Sequence, residues 1–176
     1  MRNIIICCAI AALSVAGLAY PDDAVAQQAS DKGISEMQRL REEIDRMVDR
    51  DAIRELPITY CYYVHKKDID GIVGLFTSDG KLVLSADLGS GAEGTQALTA
   101  LYKKSIADAD PWPANYNHHI ELLGNNRAKG SIYAEIRYGS HGYKTVAIGV
   151  YEDEYQKVDG AWRFKSRIFK SHSVAN

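Results

Sequence analysis

The apolar positions follow a helical period in the first half of the chain and a strand period in the second half. After Ser35, apolar residues recur three and four positions apart, which predicts a helix capped by Ser35. A second helical segment covers residues 51–66, and Pro57 is expected to kink or divide it. The stripe of the first helix consists of Met37, Leu40, Ile44, Met47 and Val48.

Shorter elements follow between the two halves. Residues 68–80 are predicted to form a third helix and residues 81–86 a strand. A glycine-rich loop at residues 89–94 then leads to a fourth helix over residues 95–107. The loop lacks the lysine and the βαβ context of a phosphate-binding loop, and the sequence leaves open whether it acts as a lid.

From Tyr116 onward the chain reads as strands joined by tight turns. Residues 116–123, 128–139, 143–158 and 161–171 are rich in β-branched and aromatic side chains and are separated by glycine- or asparagine-containing turns. This pattern predicts an antiparallel meander. Helices first and strands afterwards indicate an α+β domain, in which N-terminal helices cover one face of a curved antiparallel or mixed sheet.

Composition and charge narrow the class of protein. The chain has 176 residues, of which 46% are hydrophobic and 25% charged, which is typical of one globular domain with a substantial core. The formal net charge is −2, and no run rich in lysine and arginine is present. Nucleic acid is therefore excluded as an expected partner.

Residues 1–26 read as a cleaved secretory signal. Arg2 precedes an apolar run over residues 4–19, and the small residues at positions 24–26 suit a signal peptidase. A single transmembrane anchor is the alternative, since the run is only slightly short for a bilayer. With cleavage, we expect a periplasmic or secreted protein without a membrane contact in its mature form. Cys61 is then its only thiol, so that a disulfide within the mature chain is impossible.

The mature chain is expected to contain one domain. Residues 27–33 read as a polar linker, residues 34–172 as the domain and residues 173–176 as a tail. Fingerprints for dinucleotides, nucleoside triphosphates, zinc proteases and serine hydrolases are absent from the sequence.

Three stretches resemble the SnoaL-like branch of the nuclear transport factor 2-like superfamily. They are "RDAIRELPITYCYYVHKKDIDGIVGLFTSDGKLVL", "GTQALTALY" and "VYEDEYQKVDGAWRFKSRIFK", and the resemblance covers about residues 48–170. It implies an α+β cone barrel, whose strongly curved sheet surrounds a pocket closed by helices. Members of this group include scytalone dehydratase, hexachlorocyclohexane dehydrochlorinase, ketosteroid isomerase and sphingomonad lyases that remove formaldehyde from diaryl compounds.

The resemblance further implies chemistry that needs no cofactor, and dimers or trimers formed through the sheet. In the dehydratases and dehydrochlorinases, an aspartate near the end of the second helix and a histidine on a strand act as the base. His65 occupies the place of that aspartate here, which departs from the family pattern. The counterpart of the strand histidine is Asn115, Asn117, His118 or His119.

The residues themselves predict a different acid/base set. An imidazole titrates near neutral pH, so His65 is either a catalytic group or a histidine bonded to a carbonyl near a helix end. Strand alternation places His118 with the apolar Ile120, which favours His118 over His119 for the pocket. A metal site built from the histidines has no supporting ligand spacing, and none is expected.

Arg167 corresponds to a pocket arginine of the dehydrochlorinase, and a solvated arginine on the sheet face is the alternative. Tyr151 corresponds to an aromatic pocket wall in that enzyme, while Ile132 and Ala134 would line the pocket from the preceding strand. Tyr60 and Tyr63 on the second helix suit an aromatic, oxygenated ligand.

These observations predict a cofactor-independent lyase for a small hydrophobic, aromatic, oxygenated molecule. Deformylation of a lignin-derived diaryl compound is its specific form. A dehydratase or isomerase of a polycyclic or steroid-like substrate, and a non-catalytic binding protein, are the alternatives. The predicted catalytic residues are His65, His118, Tyr60 and Arg167, and the predicted substrate contacts are Tyr63, Val64, Asn117, His119, Ile132, Ala134 and Tyr151.

Overall fold

A computed structural model describes residues 21–85 and 91–174. Most of the predicted signal segment, the first part of the glycine-rich loop and the last two residues of the tail lie outside these ranges. The chain divides into two compact units, one ending at Glu42 and the other starting at Glu43. None of the described helices is long and apolar enough to cross a bilayer.

Helix α1 spans Pro21–Lys66 and includes Pro57 in its interior. The segment predicted as a linker is therefore helical, and Pro57 does not divide the helix. Pro57 is buried, and its carbonyl accepts a hydrogen bond from the Asn115 side chain at 3.1 Å. Packing against the sheet thus offsets the backbone hydrogen bond that a proline removes.

The apolar stripe predicted for the first helix is exposed rather than packed. In the first unit, the exposed fractions of Met37 and Leu40 are 56% and 49%. In the second unit, Ile44, Met47 and Val48 are at least 56% exposed. The buried face of α1 begins one turn later and consists of Ile53, Leu56, Tyr60 and Val64.

The predicted third helix is shorter than its pattern suggested. Helix α2 spans Ile69–Gly74, and the Asp68 carboxylate accepts a hydrogen bond from the Gly71 amide at its start. The prediction that the helix reaches residue 80 is wrong, because strand β1 begins at Phe76. Phe76 pairs with Phe164 and is buried in the core, which overrides the local helical pattern.

The remaining elements match the predicted ones within a few residues. The largest departures are at β1 and β3, each of which begins five residues before the predicted strand, and β2 lies in the segment predicted as a loop. The elements are β1 Phe76–Val83, β2 Ala92–Glu93, α3 Thr95–Asp108, β3 Pro111–Gly124, β4 Arg127–Tyr138, a 3₁₀ turn Gly139–His141, β5 Lys144–Val158 and β6 Ala161–Val174.

The strands form one mixed, open sheet in the order β2-β1-β6-β5-β4-β3. Strands β3 to β6 form the antiparallel meander predicted from the sequence, and β1 pairs in parallel with β6. Strands β2 and β3 are the two edges, so the sheet does not close into a barrel. The α+β class is confirmed.

Polar side chains attach helix α1 to the sheet at the N-terminal end of its buried face. The Asp49 carboxylate accepts hydrogen bonds from Lys157 at 2.7 Å and from the indole of Trp162 at 2.8 Å. The guanidinium of the next residue, Arg50, donates to the Ile120 carbonyl on the edge strand β3 at 2.8 Å. These contacts fix the helix that forms one wall of the site described next.

Candidate functional site

Two irregularities of the sheet turn polar side chains toward its inner face. On β3, Tyr116 pairs with Tyr133 and His119 with Ser131, so that Asn117 and His118 together oppose a single residue. Asn117 has a φ of +52°, as expected for a residue in a β-bulge. Beyond this bulge, His118 and Ile120 lie on the inner face.

A second bulge, on β6, has the same effect on Arg167. Phe164 pairs with Tyr155 and Ser166 with Glu154, which leaves Lys165 as the extra residue. Strict alternation would place Arg167 on the face opposite to Phe164, whereas the bulge brings both to the inner face, each with 0% exposure. The predicted alternative of a solvated arginine is therefore wrong.

An apolar cavity of about 310 Å³ lies between helices α1 and α3 and the sheet. Aliphatic and aromatic side chains form most of its wall. Lys104, Ser105 and Asp108, near the end of α3, add charged groups and a hydroxyl group. The lining residues are Tyr60, Val64, Leu82, Leu84, Leu101, Tyr102, Lys104, Ser105, Asp108, Ala109, Pro111, Pro113, Ile136, Tyr138 and Tyr151.

Two buried tyrosines place hydroxyl groups in this wall. The Tyr102 hydroxyl donates to the Tyr60 hydroxyl at 3.1 Å, which leaves the proton of Tyr60 for another acceptor. Burial raises the pKa of both phenols well above the ordinary value, so both remain protonated at neutral pH. Tyr60 is thus a hydrogen-bond donor at the cavity surface.

The guanidinium of Arg167 lies directly behind this tyrosine wall. Its central carbon is 4.4 Å from the ring centroid of Tyr60, 3.9 Å from that of Tyr151 and 4.6 Å from that of Phe164. None of its three nitrogens makes a hydrogen bond with the described residues. Its one ionic partner is Asp153, with Nε 3.5 Å from Oδ1. A buried cation held mainly by ring faces retains the capacity to bind an oxygen with negative charge.

Asp153 connects Arg167 to His118 through Tyr155. The Tyr155 hydroxyl donates to Asp153 Oδ2 at 3.1 Å and lies 3.0 Å from His118 Nε2. The side chains of Asp153 and Arg167 are both 0% exposed. The four residues therefore form one continuous polar network inside the domain.

Burial sets the protonation of this network. It raises the pKa of Asp153 to about 6, against the opposing effects of Arg167 and the Tyr155 hydrogen bond. It lowers the pKa of His118 to about 4, and the positive charge of Arg167 acts in the same direction. At neutral pH, Asp153 is consequently a carboxylate and His118 a neutral imidazole.

Gly130 provides the space in which His118 and Tyr155 meet. A Cβ atom at this position would lie 2.8 Å from the His119 carbonyl oxygen, 3.0 Å from His118 Nε2 and 3.1 Å from a Tyr155 ring carbon. A glycine within a strand often marks such a close approach. Any other residue here would disturb the network.

His65 lies apart from this network, at the C-terminal end of α1. Its ring stacks on Trp112 with centroids 4.2 Å apart, and its Nε2 donates to the carbonyl of Pro113 at 3.2 Å. Pro113 belongs to the cavity wall, whereas His65 does not. His65 thus matches the alternative expected from the sequence, a histidine hydrogen-bonded to a carbonyl near a helix end.

The other predicted contacts fall into three groups. Val64 and Tyr151 line the cavity, as Tyr60 does. Ile132 and Ala134 are buried on the inner face of β4 but are not part of the cavity wall. Tyr63, Asn117 and His119 lie elsewhere. Tyr63 packs on Tyr62, and Asn117 is exposed in the bulge. His119 is exposed in a groove beside Lys129 and Glu152.

Sequence reasoning missed Tyr102, Asp153 and Tyr155. Alternation provided a signal for two of them, because Tyr151, Asp153 and Tyr155 are two residues apart and all face inward. A carboxylate with the same parity as two buried aromatic residues is unusual in a sheet. Tyr102 follows Leu98 by one helical turn on α3, and both are buried.

Metal-binding side chains do not cluster in the described part of the chain. Within residues 21–85 and 91–174, no three histidine, cysteine, aspartate or glutamate side chains lie close enough together to hold a metal ion. Burial also raises the pKa of the Cys61 thiol to about 11, so this cysteine is protonated at neutral pH.

Comparison with known families assigns the chain. Residues 45–168, which include the cavity wall and the polar network, match the SnoaL-like domain. The chain belongs to the SnoaL-like domain family. No curated protein sequence matches this SnoaL-like chain significantly.

Solved structures share the fold of this SnoaL-like domain. Hexachlorocyclohexane dehydrochlorinase LinA from Novosphingobium barchaimii is 18% identical with a TM-score of 0.66, over 76% of this chain and 92% of its own. A protein assigned as a scytalone dehydratase from Novosphingobium aromaticivorans is 23% identical with a TM-score of 0.62, over 74% and 88%. Rv3472 from Mycobacterium tuberculosis, a protein of unknown function, is 23% identical with a TM-score of 0.66, over 74% and 76%.

Proposed function

We propose that this SnoaL-like protein is a cofactor-independent lyase that acts on a small, aromatic, oxygenated molecule. One observation carries the proposal. A buried acid/base network, made of His118, Tyr155, Asp153 and Arg167, lies directly behind the tyrosine wall of an apolar cavity. Titratable groups in such an environment are typical of active sites.

The cavity supports the substrate class. Its volume of about 310 Å³ is at the lower end of the range of small-molecule sites, and its wall is dominated by aliphatic and aromatic side chains. The hydroxyl of Tyr60 offers a hydrogen-bond donor to a substrate oxygen. An aromatic molecule with an oxygen substituent satisfies both features.

The network supplies the parts of an elimination. His118, neutral at pH 7, takes a proton from a carbon atom of the substrate, and the electron pair of that bond forms a carbon–carbon double bond. The carbon–oxygen bond to the leaving group then breaks, and the departing oxygen takes a proton from Tyr60. Arg167, in contact with the Tyr60 ring, stabilises the negative charge that develops on the oxygens.

Release of formaldehyde uses the same groups. There the base takes the hydroxyl proton of a hydroxymethyl group, and the carbonyl of formaldehyde forms as the carbon–carbon bond breaks. The electron pair of that bond forms a carbon–carbon double bond as the neighbouring carbon–oxygen bond breaks, and the departing oxygen takes a proton from Tyr60. Proteins that share this fold include one named as a dehydrochlorinase and one named as a dehydratase. This shared fold supports a lyase only by analogy.

The proposal is tested with purified protein and a panel of diaryl propanediols and hydroxylated polycyclic ketones, with products followed by absorbance and mass spectrometry. We expect turnover that His118→Gln and Arg167→Lys reduce by roughly a hundredfold or more in kcat. His119→Gln is the matched control, because this neighbour is exposed on the opposite face. Equal turnover in His118→Gln and His119→Gln would contradict the assignment of the base.

A non-catalytic binding protein is the second candidate, and one observation favours it. Among the described residues that line the cavity, none is a histidine, and the single carboxylate, Asp108, is exposed and paired with Lys104. A ligand that stays within this wall would meet hydroxyl groups but no base. Tight binding of aromatic compounds without any turnover across the panel would establish this function instead.

A further inference from the structure

We infer that Tyr155 and Asp153 act as positioning residues that hold His118 in the Nε2–H tautomer, so that Nδ1 is the nitrogen that accepts a proton. The inference rests on the proposed function for its catalytic consequence. The tautomer itself is a property of the protein alone.

The count of protons in the network leads to this tautomer. A phenol has one proton, and Tyr155 donates it to Asp153 Oδ2, which as a carboxylate oxygen only accepts. The oxygen of Tyr155 can then only accept from His118, whose Nε2 is 3.0 Å away. His118 Nε2 must therefore carry the hydrogen.

The other ring nitrogen is left with a free lone pair. His118 Nδ1 is buried and has no hydrogen-bond partner among the described residues. In the Nε2–H tautomer this nitrogen is an acceptor without a donor, which is unfavourable for a buried polar atom. A basic nitrogen without a partner, on a ring whose other nitrogen is held by a hydrogen bond, is what a general base requires.

The surrounding charges keep this nitrogen unprotonated in the free protein. Arg167, Arg54 and His119 act on the imidazole, and together with burial they lower the pKa of His118 to about 4. Asp153 is connected to the imidazole through Tyr155 and not by direct contact. Tyr155 thus orients the ring, and the carboxylate gains its influence only through the phenol.

This arrangement differs from a direct aspartate–histidine pair. The phenol adds a third hydrogen-bonding group between the carboxylate and the imidazole, and Gly130 leaves the space that it needs. Because the carboxylate also faces Arg167, one buried anion serves both the cation and the base. A carboxylate that fixes a histidine tautomer is a general device of acid/base catalysis.

The first test measures the tautomer without any substrate. Long-range ¹H–¹⁵N correlation spectra of ¹⁵N-histidine-labelled protein at pH 7 distinguish a protonated ring nitrogen from an unprotonated one. We expect His118 to show a protonated Nε2 and an unprotonated Nδ1. A protonated Nδ1, or an equal mixture of both tautomers, would overturn the inference.

The second test removes the phenol oxygen alone. Tyr155→Phe retains the ring packing, and we expect His118 to become a mixture of tautomers. Tyr133→Phe is the matched control, because Tyr133 is exposed on the outer face of β4. An unchanged tautomer in Tyr155→Phe would overturn the role of Tyr155.

With a substrate in hand, the same variant tests the catalytic consequence. We expect Tyr155→Phe to lower kcat by roughly tenfold or more, part of the ~10²–10⁴ that a positioned base supplies, with little change in KM. If His118 has the fixed tautomer but the protein binds ligands without turnover, the proposed lyase is rejected and the inferred tautomer is retained. Turnover by a protein whose His118 is protonated on Nδ1 would do the reverse.

Discussion

His65 contacts strand β3 and His118 belongs to it, but their ring nitrogens form hydrogen bonds to different kinds of group. His65 donates to a backbone carbonyl and stacks on Trp112, whose exposed fraction is 38%. His118 bonds to a phenol that is bonded to a buried carboxylate, which faces a buried guanidinium. A carbonyl holds the first ring in place, while titratable groups surround the second.

The difference shows how the partners of a histidine indicate its role. A carbonyl only accepts hydrogen bonds and does not change its protonation, so it fixes the orientation of a ring without exchanging a proton with it. A carboxylate and a guanidinium respond to charge on the ring, and each protonation step alters the others. Four substitutions test whether the contacts of His65 are structural and whether the network around His118 carries the chemistry.

The largest effect on stability is expected at Arg167. Replacing it by methionine leaves the Asp153 carboxylate buried without a cation, and we expect a loss of about 3–5 kcal/mol in the free energy of unfolding. Urea denaturation measures this loss. Lys170→Met is the control, because Lys170 pairs with Glu152 across the same two strands at the surface, where such a pair contributes about 0–1 kcal/mol. Similar losses in both variants would contradict the buried network.

Gly130→Ala is expected to have the next largest effect. The added methyl group would overlap the His119 carbonyl and press on His118 and Tyr155, which we expect to cost about 1–3 kcal/mol. Thermal unfolding and the histidine spectra of the variant test this together. Gly74→Ala is its control, since a Cβ there meets no atom within 4 Å. A Gly130→Ala protein with unchanged stability and spectra would show that the close approach is absent.

His65→Ala should weaken the fold moderately and leave the chemistry intact. We expect it to lose about 1–2 kcal/mol of stability through the stacked contact with Trp112 and the bond to the Pro113 carbonyl. Turnover by the folded variant should stay within about twofold of the parent, far above that of a variant without the base. His141→Ala, which removes an exposed ring stacked on Tyr138, is the control. A loss of kcat as large as that of His118→Gln would place His65 in the chemistry.

The smallest effect concerns pH. His118 has a lowered pKa in the folded protein, so the unfolded chain binds more protons between pH 6.5 and about 4, and stability is lost as the pH falls through this window. Allowing for solvent around the half-buried ring, we expect the parent to lose on the order of 1 kcal/mol more than His118→Gln between pH 7 and 4.5. Urea titrations at the two pH values measure the difference, and equal losses in both proteins would contradict it.

The raised pKa of Asp153 acts in the opposite direction. Its folded form binds more protons than the unfolded chain between pH 3.8 and about 6, so its contribution destabilises the fold as the pH rises through that window. The two effects partly cancel in the parent protein. The comparison with His118→Gln is therefore more informative than the stability of the parent alone.

Much of this fold could be predicted from local patterns in the sequence. Alternation identified the four strands of the meander, because tight turns separate them and antiparallel neighbours follow each other in the chain. The parallel pairing of β1 with β6 joins segments about eighty residues apart, and no local pattern carries that information. Phe76 is an example, because its pairing with Phe164 places it in a strand where the local sequence favoured a helix.

The candidate site was less predictable, for a geometric reason. Tyr60 and Val64 could be placed at the cavity, because they lie on a regular helix whose faces follow from spacing, whereas Tyr151 was placed there by the family resemblance. The inward direction of Arg167 depends on an extra residue in the strand, which alternation cannot detect. The link from Asp153 to His118 requires strands β3 and β5 to come together across Gly130, which is a tertiary fact.

The bulge at Asn117 also bears on how relatives of this protein should be aligned. Because Asn117 and His118 share one partner across the sheet, removing Asn117 would leave His118 on the same face with regular pairing. The strand can therefore gain or lose one residue at this point without displacing its functional histidine. A relative that is one residue shorter in β3 should be aligned with a gap at Asn117, since a gapless alignment would match His118 to a residue of the opposite face.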